Sequence, residues 1–393
     1  MSFKIEDVLY ALYYFPIALT APFISWYFFF GLSERDFIGS ALIIAIPYFF
    51  LIFSTGLFGR LSDQLGSRNL VLISLGTLSI SFFCYFFIQD QFFFFILYIV
   101  FNVIVSGFTP AFNRLMSFYE EEERTGKFGQ LGMMASIGFL GGSIFATLAF
   151  AFDVTGNSVE TFRTMFPISM IISFFTFILA FRLNETSFTN KTTHLQVKNP
   201  IDISERNPQI RHIFVLLVII VLINVSSSIY GNFFSIYIQD ELNQDISFFA
   251  LANSIATLLG VFTTYFIGRY ADMLSRKTFV LLASLLYTLF PLALFLIKNP
   301  IVVFILYCLP FYSILFVLAP VIISENSFES RRGQVMGFYI GSQYIGLMTG
   351  TVSGGILAAI NDVVSPNFLV GTLIGFLSVI ICLFFFKKTS NEV

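Results

Sequence analysis

Gly59-Arg60-Leu61-Ser62-Asp63-Gln64-Leu65-Gly66-Ser67-Arg68 returns 209 residues later as Gly268-Arg269-Tyr270-Ala271-Asp272-Met273-Leu274-Ser275-Arg276-Lys277. Both copies read G-R-x-x-D, both end on a basic residue, and each sits between two long apolar runs. The same offset carries Phe95-Ile96-Leu97-Tyr98 onto Phe304-Ile305-Leu306-Tyr307 and Asp36 onto Asp245. Coincidences at one spacing mark an internal duplication, so the architecture is that of one unit used twice.

The flanking runs identify the solvent. Of 393 residues, 57% are hydrophobic and 11% charged, and 55 are phenylalanine. A water-soluble domain carries about a quarter charged residues, so this chain lacks the polar surface that water requires. Crossing a hydrocarbon core of about 30 Å takes about 20 helical residues, because backbone amides left unpaired there cost several kcal/mol each. Twelve segments have that length, near 8–30, 37–58, 69–88, 92–118, 128–152, 163–182, 211–238, 246–267, 277–297, 300–323, 333–360 and 367–386. Unbroken apolar runs exclude a β-barrel, whose strands would alternate. The first run is too long for the core of a cleavable signal and is expected to remain as the first helix.

The expected fold is therefore an all-α membrane protein of twelve helices in two six-helix bundles. A polar stretch from about Asn184 to Pro208 separates them, with expected bounds 1–183 for the first bundle, 184–210 for a linker and 211–393 for the second. An even number of spans per unit makes the repeats parallel, related by an axis along the membrane normal, as in bundles that rock about a central site.

Charge sets the orientation. Apart from Arg35, Arg163 and Lys298, every basic residue falls on the side of the two termini. That side is expected to be the cytoplasm, with the chain a multi-pass protein of the plasma membrane. The net charge of −2 and the mixed signs in the linker give no nucleic-acid footprint. Cys84, Cys308 and Cys382 each lie in a span and imply neither disulfide nor metal, and no cofactor is implied either.

The duplicated loop resembles the signature of the major facilitator superfamily, G-x-x-x-D-[RK]-x-G-[RK]-[RK] between the second and third helices, and the likeness extends over essentially the whole chain. The resemblance implies that family's twelve-helix fold, with its pseudo-twofold-related bundles, and transport by alternating access. It also implies a gating role for Gly59, Asp63, Arg68, Gly268, Asp272 and Arg276. Asp63 would engage the start of the eleventh helix near Arg331 and Arg332, and Asp272 would do the same near Arg124 and Lys127. The residue types suit this, since a glycine at a helix end admits a neighbour and a carboxylate can meet a helix N-terminus. Arg114 and Glu325, near pseudo-equivalent positions at the inner ends of the fourth and tenth spans, form a second candidate gate.

The fifth span contains Gly129-x8-Gly138-x3-Gly142-Ser143-x2-Ala146, and the eleventh Gly337-x8-Gly346-x3-Gly350-Thr351-x2-Gly354-Gly355. This is similar to a motif of the family's exporters, with serine and threonine where those have proline, which points to the drug or sugar efflux branches. Spacing of four puts Gly138 with Gly142, and Gly346 with Gly350 and Gly354, on single helix faces that allow close packing in lipid. Pro16, Pro22, Pro47, Pro110, Pro310 and Pro320 fall within spans, where they free carbonyls and bend helices.

No acidic residue or histidine lies in the middle of a span; Glu6, Asp7, Asp153 and Glu325 sit at span ends. A proton or other coupling ion is thus left open. Neutral polar groups remain as substrate contacts: Asn102, Ser106 and Asn113 on the fourth span, Asn224, Ser227, Ser228, Tyr230 and Asn232 on the seventh, Asn253 on the eighth, Gln343 and Tyr344 on the eleventh. Such a lining suits a small neutral or amphipathic solute. Export of one is the expected function; facilitated movement of a neutral polar solute such as a sugar is the alternative. An intramembrane enzyme would need a nucleophile, base or metal cluster that these spans do not offer, so no enzyme is expected. The chain is expected to work as a monomer.

Overall fold

The computed structural model describes residues 4–117, 121–153, 155–183, 208–270, 276–310, 314, 319–323 and 332–386. Among them there are helices and no strands. The first span runs Ile5–Leu32, the second Phe37–Leu65, the third Ser67–Phe87, the fifth Glu121–Ala151 and the sixth Ser158–Ala180. The fourth is split into Gln91–Val105 and Phe108–Ser117. In the second half the seventh is split into Pro208–Gly231 and Phe234–Asp240, followed by Ile246–Tyr270, Arg276–Leu296, Arg332–Asn361 and Ser365–Phe385. The tenth span begins as Pro300–Cys308, and much of its remainder lies outside the described residues. Eleven described helices are long and apolar enough to cross a bilayer. Their outward faces carry side chains such as Phe53, Phe87, Phe92 and Phe384, each more than 60% exposed, which is the surface that lipid rather than water would cover.

The pseudo-twofold is visible in packing. The first span lies on the fifth and sixth, as the seventh does on the eleventh and twelfth; the third lies on the sixth, as the ninth does on the twelfth. Between halves, the second packs on the eleventh and the fifth on the eighth, and exchanging the halves maps one of these seams onto the other. Burial repeats too: residues 11–28 and 221–238 are buried, half-buried or exposed in the same order, position by position, at an offset of 210.

Glycines set how closely the paired spans approach. A Cβ on Gly138 or Gly142 would collide with the carbonyl oxygen of Ala11 or Phe15 on the first span. In the second half a Cβ on Gly346 would fall 2.6 Å from Val221 O, one on Gly350 2.5 Å from Val225 O, and one on Gly354 onto Ile229 O. Ala11, Phe15, Val221 and Val225 obey the same 210 offset, so these glycine-to-carbonyl contacts repeat in both halves. Gly66, between the second and third spans, has φ 83°, a left-handed value that explains a glycine at that place in the signature loop.

On the face opposite the termini, helix starts are capped by side chains, as orphan N–H groups near lipid require. Asp36 accepts from Gly39 N–H and Asp90 from Phe93 N–H, each at 2.9 Å; Asn157 accepts from Val159 N–H and Asn299 from Ile301 N–H, each at 3.0 Å. The twelfth span instead borrows Glu241 from the loop after the seventh, which accepts from Val364 N–H at 2.5 Å and Ser365 N–H at 3.1 Å. On the other face, Arg68 donates to Phe181 O at 2.6 Å and Lys277 to Leu383 O at 3.2 Å. A cation thus meets the C-terminal end of the last helix in each half, where the dipole favours it.

Among the described residues, the helices of the first, fourth, seventh and tenth spans are interrupted. Pro22 opens a short 3-10 segment, Ala21–Phe23, in the first span. The seventh breaks at Asn232 and Phe233, where Asn232 donates its amide to Thr351 Oγ1 at 2.6 Å. The fourth breaks at Ser106 and Gly107, just before Pro110, whose missing N–H is tolerated in the first turn of the following helix.

Candidate functional site

A cavity of about 430 Å³ opens between the first half and the eleventh span. Its wall comes from Tyr13, Ile17, Thr20, Ala21 and Ile24 of the first span, Leu51 of the second, and Leu78, Ser81, Phe82 and Tyr85 of the third. The fourth span gives eight residues from Tyr98 to Asn113, and the eleventh gives Ile340, Gln343 and Tyr344. The polar members of the fourth span, Asn102, Ser106, Thr109 and Asn113, recur every three or four residues and so share one helix face. Among the described residues, no Asp, Glu, Lys, Arg or His lines this cavity.

Three lining hydroxyls donate to carbonyls of their own helices. Thr20 donates to Pro16 O at 2.9 Å, Ser81 to Leu78 O at 2.7 Å and Ser106 to Val103 O at 2.6 Å. Asn102 donates to Tyr98 O at 2.8 Å, and Gln343 to the Tyr339 hydroxyl at 2.9 Å. Rings complete the wall. Tyr13 stacks on Phe108 with centroids 3.7 Å apart, and Tyr344 of the second half lies 5.9 Å from Tyr48 of the first at 28°.

Of the eleven residues expected to contact substrate, Asn102, Ser106, Asn113, Gln343 and Tyr344 line this cavity together, and six do not. Those six lie on seams of the second half or between halves. Asn224 donates to Ile220 O at 2.8 Å and Ser227 to Asn224 O at 3.1 Å; Ser228 donates to Asn224 O and approaches Gly346 O. Tyr230 packs between Phe290 and Phe368, Asn232 holds Thr351, and Asn253 reaches Ser143 Oγ at 3.4 Å. Sequence reasoning passed over Tyr13, Tyr85, Tyr98 and Thr109. Tyr98 carried a signal, one turn before Asn102 on the same face; Tyr85 carried none beyond its spacing of four from Ser81.

The two halves meet on the face opposite the termini through contacts that the sequence did not announce. Arg35 pairs with Asp240 at 2.5 Å, the Trp26 indole donates to Gln239 Oε1 at 2.5 Å, and Phe23 meets Phe249 edge to face at 5.5 Å. Deeper, Thr147 and Ser254 are hydrogen-bonded at 2.8 Å, and Gly355 lies against Ala41. That face is closed. At the opposite end Asp7 is fully buried between the first and fifth spans, accepting from the Gln130 amide at 2.8 Å and from Lys4 N–H at 2.9 Å.

Of the residues assigned to gating, Arg68 serves the sixth span as above. Arg114 is half-buried at the inner end of the fourth span. Asp272 and Glu325 lie outside the described residues, as do the side chains of Asp63, Arg124, Arg276 and Arg332 and the surroundings of Gly59 and Gly268.

Solved structures share the whole architecture at low identity. A D-xylose–proton symporter superposes with a TM-score of 0.75 at 13% identity, covering 99% of this chain and 98% of that one. The nucleoside transporter NupG, in a single-substitution form, gives 0.76 at 12%, covering 98% and 100%. A POT family transporter bound to a thioalcohol-conjugated peptide gives 0.76 at 13%, covering 96% and 94%. No curated protein matches the chain by sequence. The family model described as Major Facilitator Superfamily matches residues 8–311 and again 216–393. Duplicated bundles, duplicated loop and these two matches agree: the chain belongs to the major facilitator superfamily.

Proposed function

We propose that this transporter carries small uncharged or amphipathic molecules by alternating access, and that it exports them. The observation supporting this most strongly is the cavity wall, which combines aromatic rings with neutral amides and, among the described residues, carries no charged side chain. A charged solute would lose its hydration there without an opposite charge to replace it. Export follows from the glycine pattern of the fifth and eleventh spans, which resembles that of the family's exporters.

In this reading, residues 1–183 and 211–393 are the rocking bundles, 184–210 is the linker, and the monomer sits in the plasma membrane with both termini in the cytoplasm. The face closed by Arg35 and Asp240 is then the outer one, and the cavity belongs to a state closed toward the outside. Asp63 and Asp272, with Arg124, Arg276 and Arg332, form the latch of the opposite state, and Arg114 pairs with Glu325 when the inner side closes.

A second reading has its own support in the uncharged lining: facilitated passage of a neutral polar solute such as a sugar. Flux in reconstituted vesicles separates the two. Export predicts accumulation of a neutral amphipathic dye against its gradient when a pH difference is imposed. Downhill movement of glucose at one rate with and without that pH difference, and no accumulation of the dye, would replace export by facilitated passage.

A further inference from the structure

We infer that the Tyr13 and Tyr344 hydroxyls, one from each half, clamp the polar head of an uncharged amphipathic ligand whose ring lies toward the closed face. The inference rests on the transport reading above only in taking the cavity as the binding site. Both tyrosines line the cavity, and neither hydroxyl makes a hydrogen bond among the described residues or is sealed from the open space. Their rings are nonetheless held. Tyr13 stacks on Phe108 and meets Tyr14 edge to face at 5.1 Å, while Tyr344 lies along Tyr48. A hydroxyl already in place costs a ligand little ordering, and it can both donate and accept.

The wall changes character with depth. The first span runs outward from the termini and the fourth returns, so Ile24, Tyr98 and Phe101 lie toward the closed face and Tyr13 and Asn113 toward the other. Nearer the closed face, Thr20, Ser81 and Asn102 each spend a donor on a carbonyl of their own helix, amid rings that favour a flat aromatic group. Nearer the termini the uncommitted groups gather. Besides the two hydroxyls there is the Asn113 amide, exposed and without a hydrogen bond among the described residues. Gln343 adds its Oε1, left over when its amide donates to the Tyr339 hydroxyl. A head group that both donates and accepts, such as a carboxamide, is satisfied there, whereas a carboxylate meets no cation among the lining residues. The clamp is not duplicated. Tyr13 corresponds at the offset of 210 to Ile223, buried and apolar; Tyr344, two residues before Gly346, corresponds to Ser136 before Gly138, which donates to Gly132 O at 3.0 Å. A single head group therefore touches both bundles.

The test uses the full-length protein in detergent, with thermal stabilisation as the binding readout and three matched probes: N-acetylphenylalaninamide, its free acid N-acetylphenylalanine, and the ringless N-acetylglycinamide. The ring amide should raise the melting temperature of the wild type and the other two should not. Tyr13→Phe and Tyr344→Phe should each weaken binding of the ring amide by about fivefold, the equivalent of one hydrogen bond of about 1 kcal/mol. Because neither hydroxyl makes an internal bond, both variants without ligand should melt at or above the wild-type temperature. The inference is overturned if the acid or the ringless amide stabilises the wild type as well as the ring amide does, if the ring amide has no effect, or if either variant binds it as tightly as the wild type. A clear drop in the ligand-free melting temperature of either variant would likewise overturn it, by showing a structural bond. Vesicle flux reports separately: a ring amide that binds but never crosses would defeat the transport reading and leave the clamp standing.

Discussion

The first and seventh spans bury the same positions, break near the same place and are gripped by the same glycine seam, yet the cavity borders the first and not the seventh. The difference lies in the layer behind them. Tyr85, Asn102, Ser106, Thr109 and Asn113 of the first half correspond at the loop offset to Leu294, Phe311, Leu315, Leu318 and Ile322 of the second. Where the second half is described, aromatic rings fill the interior: Phe234 stacks on Tyr307 at 4.5 Å, and Tyr230 lies between Phe290 and Phe368. Backbone packing is thus kept by both copies, because helix pairs in lipid depend on close contact between small residues. Side-chain chemistry behind the seam has diverged between the copies.

The sameness is the most breakable part. Gly142→Leu and Gly350→Leu each drive a side chain into a backbone carbonyl of the partner span, Phe15 O in one half and Val225 O in the other. Overpacking against main chain that cannot move aside costs about 1–3 kcal/mol or more. Both variants should lose melting temperature by similar amounts in detergent. A large loss at Gly350 with none at Gly142 would show that the two seams are not equivalent.

The difference can be erased by giving the fourth span the residues of the tenth. Asn102→Phe with Ser106→Leu should fill the cavity and reduce vesicle flux by at least tenfold, while the melting temperature holds or rises as cavity volume disappears. Unchanged flux in the double variant would move the pathway elsewhere, with the seventh-span amides as the next place to look.

How much of this was legible follows from the same division. Helix positions, the duplication and the glycine seams were readable because lipid imposes length, apolarity and small residues in patterns that a single sequence displays. Asn102, Ser106, Gln343 and Tyr344 were readable as isolated polar residues in apolar runs. That criterion cannot tell a cavity wall from a helix seam, and Asn232 and Asn253 show it: each satisfies an amide against a neighbouring span, Thr351 or Ser143. Asp7 was placed at a span end, and so it is, but the fifth span covers it and Gln130 reaches it. Tyr85 was illegible because one tyrosine among many becomes distinctive only once it is found in the cavity wall.

The rim opposite the termini offers the smallest and finest contrast. The twelfth span is capped at long range by Glu241, whereas the matching corner of the first half is tied locally. There Asp153 accepts from the hydroxyls of Thr161 and Thr155 and from Thr155 N–H. The Thr161 hydrogen bond, aided by those from Thr155 and opposed by slight desolvation, holds the Asp153 carboxyl below the ordinary carboxylate value. A carboxyl depressed in the folded state binds its proton more weakly there than in the unfolded chain, so it contributes stability above the unfolded pKa of about 3.9 and loses it as pH falls through the lower folded value. Wild type and Asp153→Asn should therefore differ in melting temperature by a small constant amount from neutral pH down to about 5. Below about 4 the gap should narrow, since only the wild type has this contribution to lose. A gap that widens on acidification would reverse the sign and remove the local tie as the reason this corner holds.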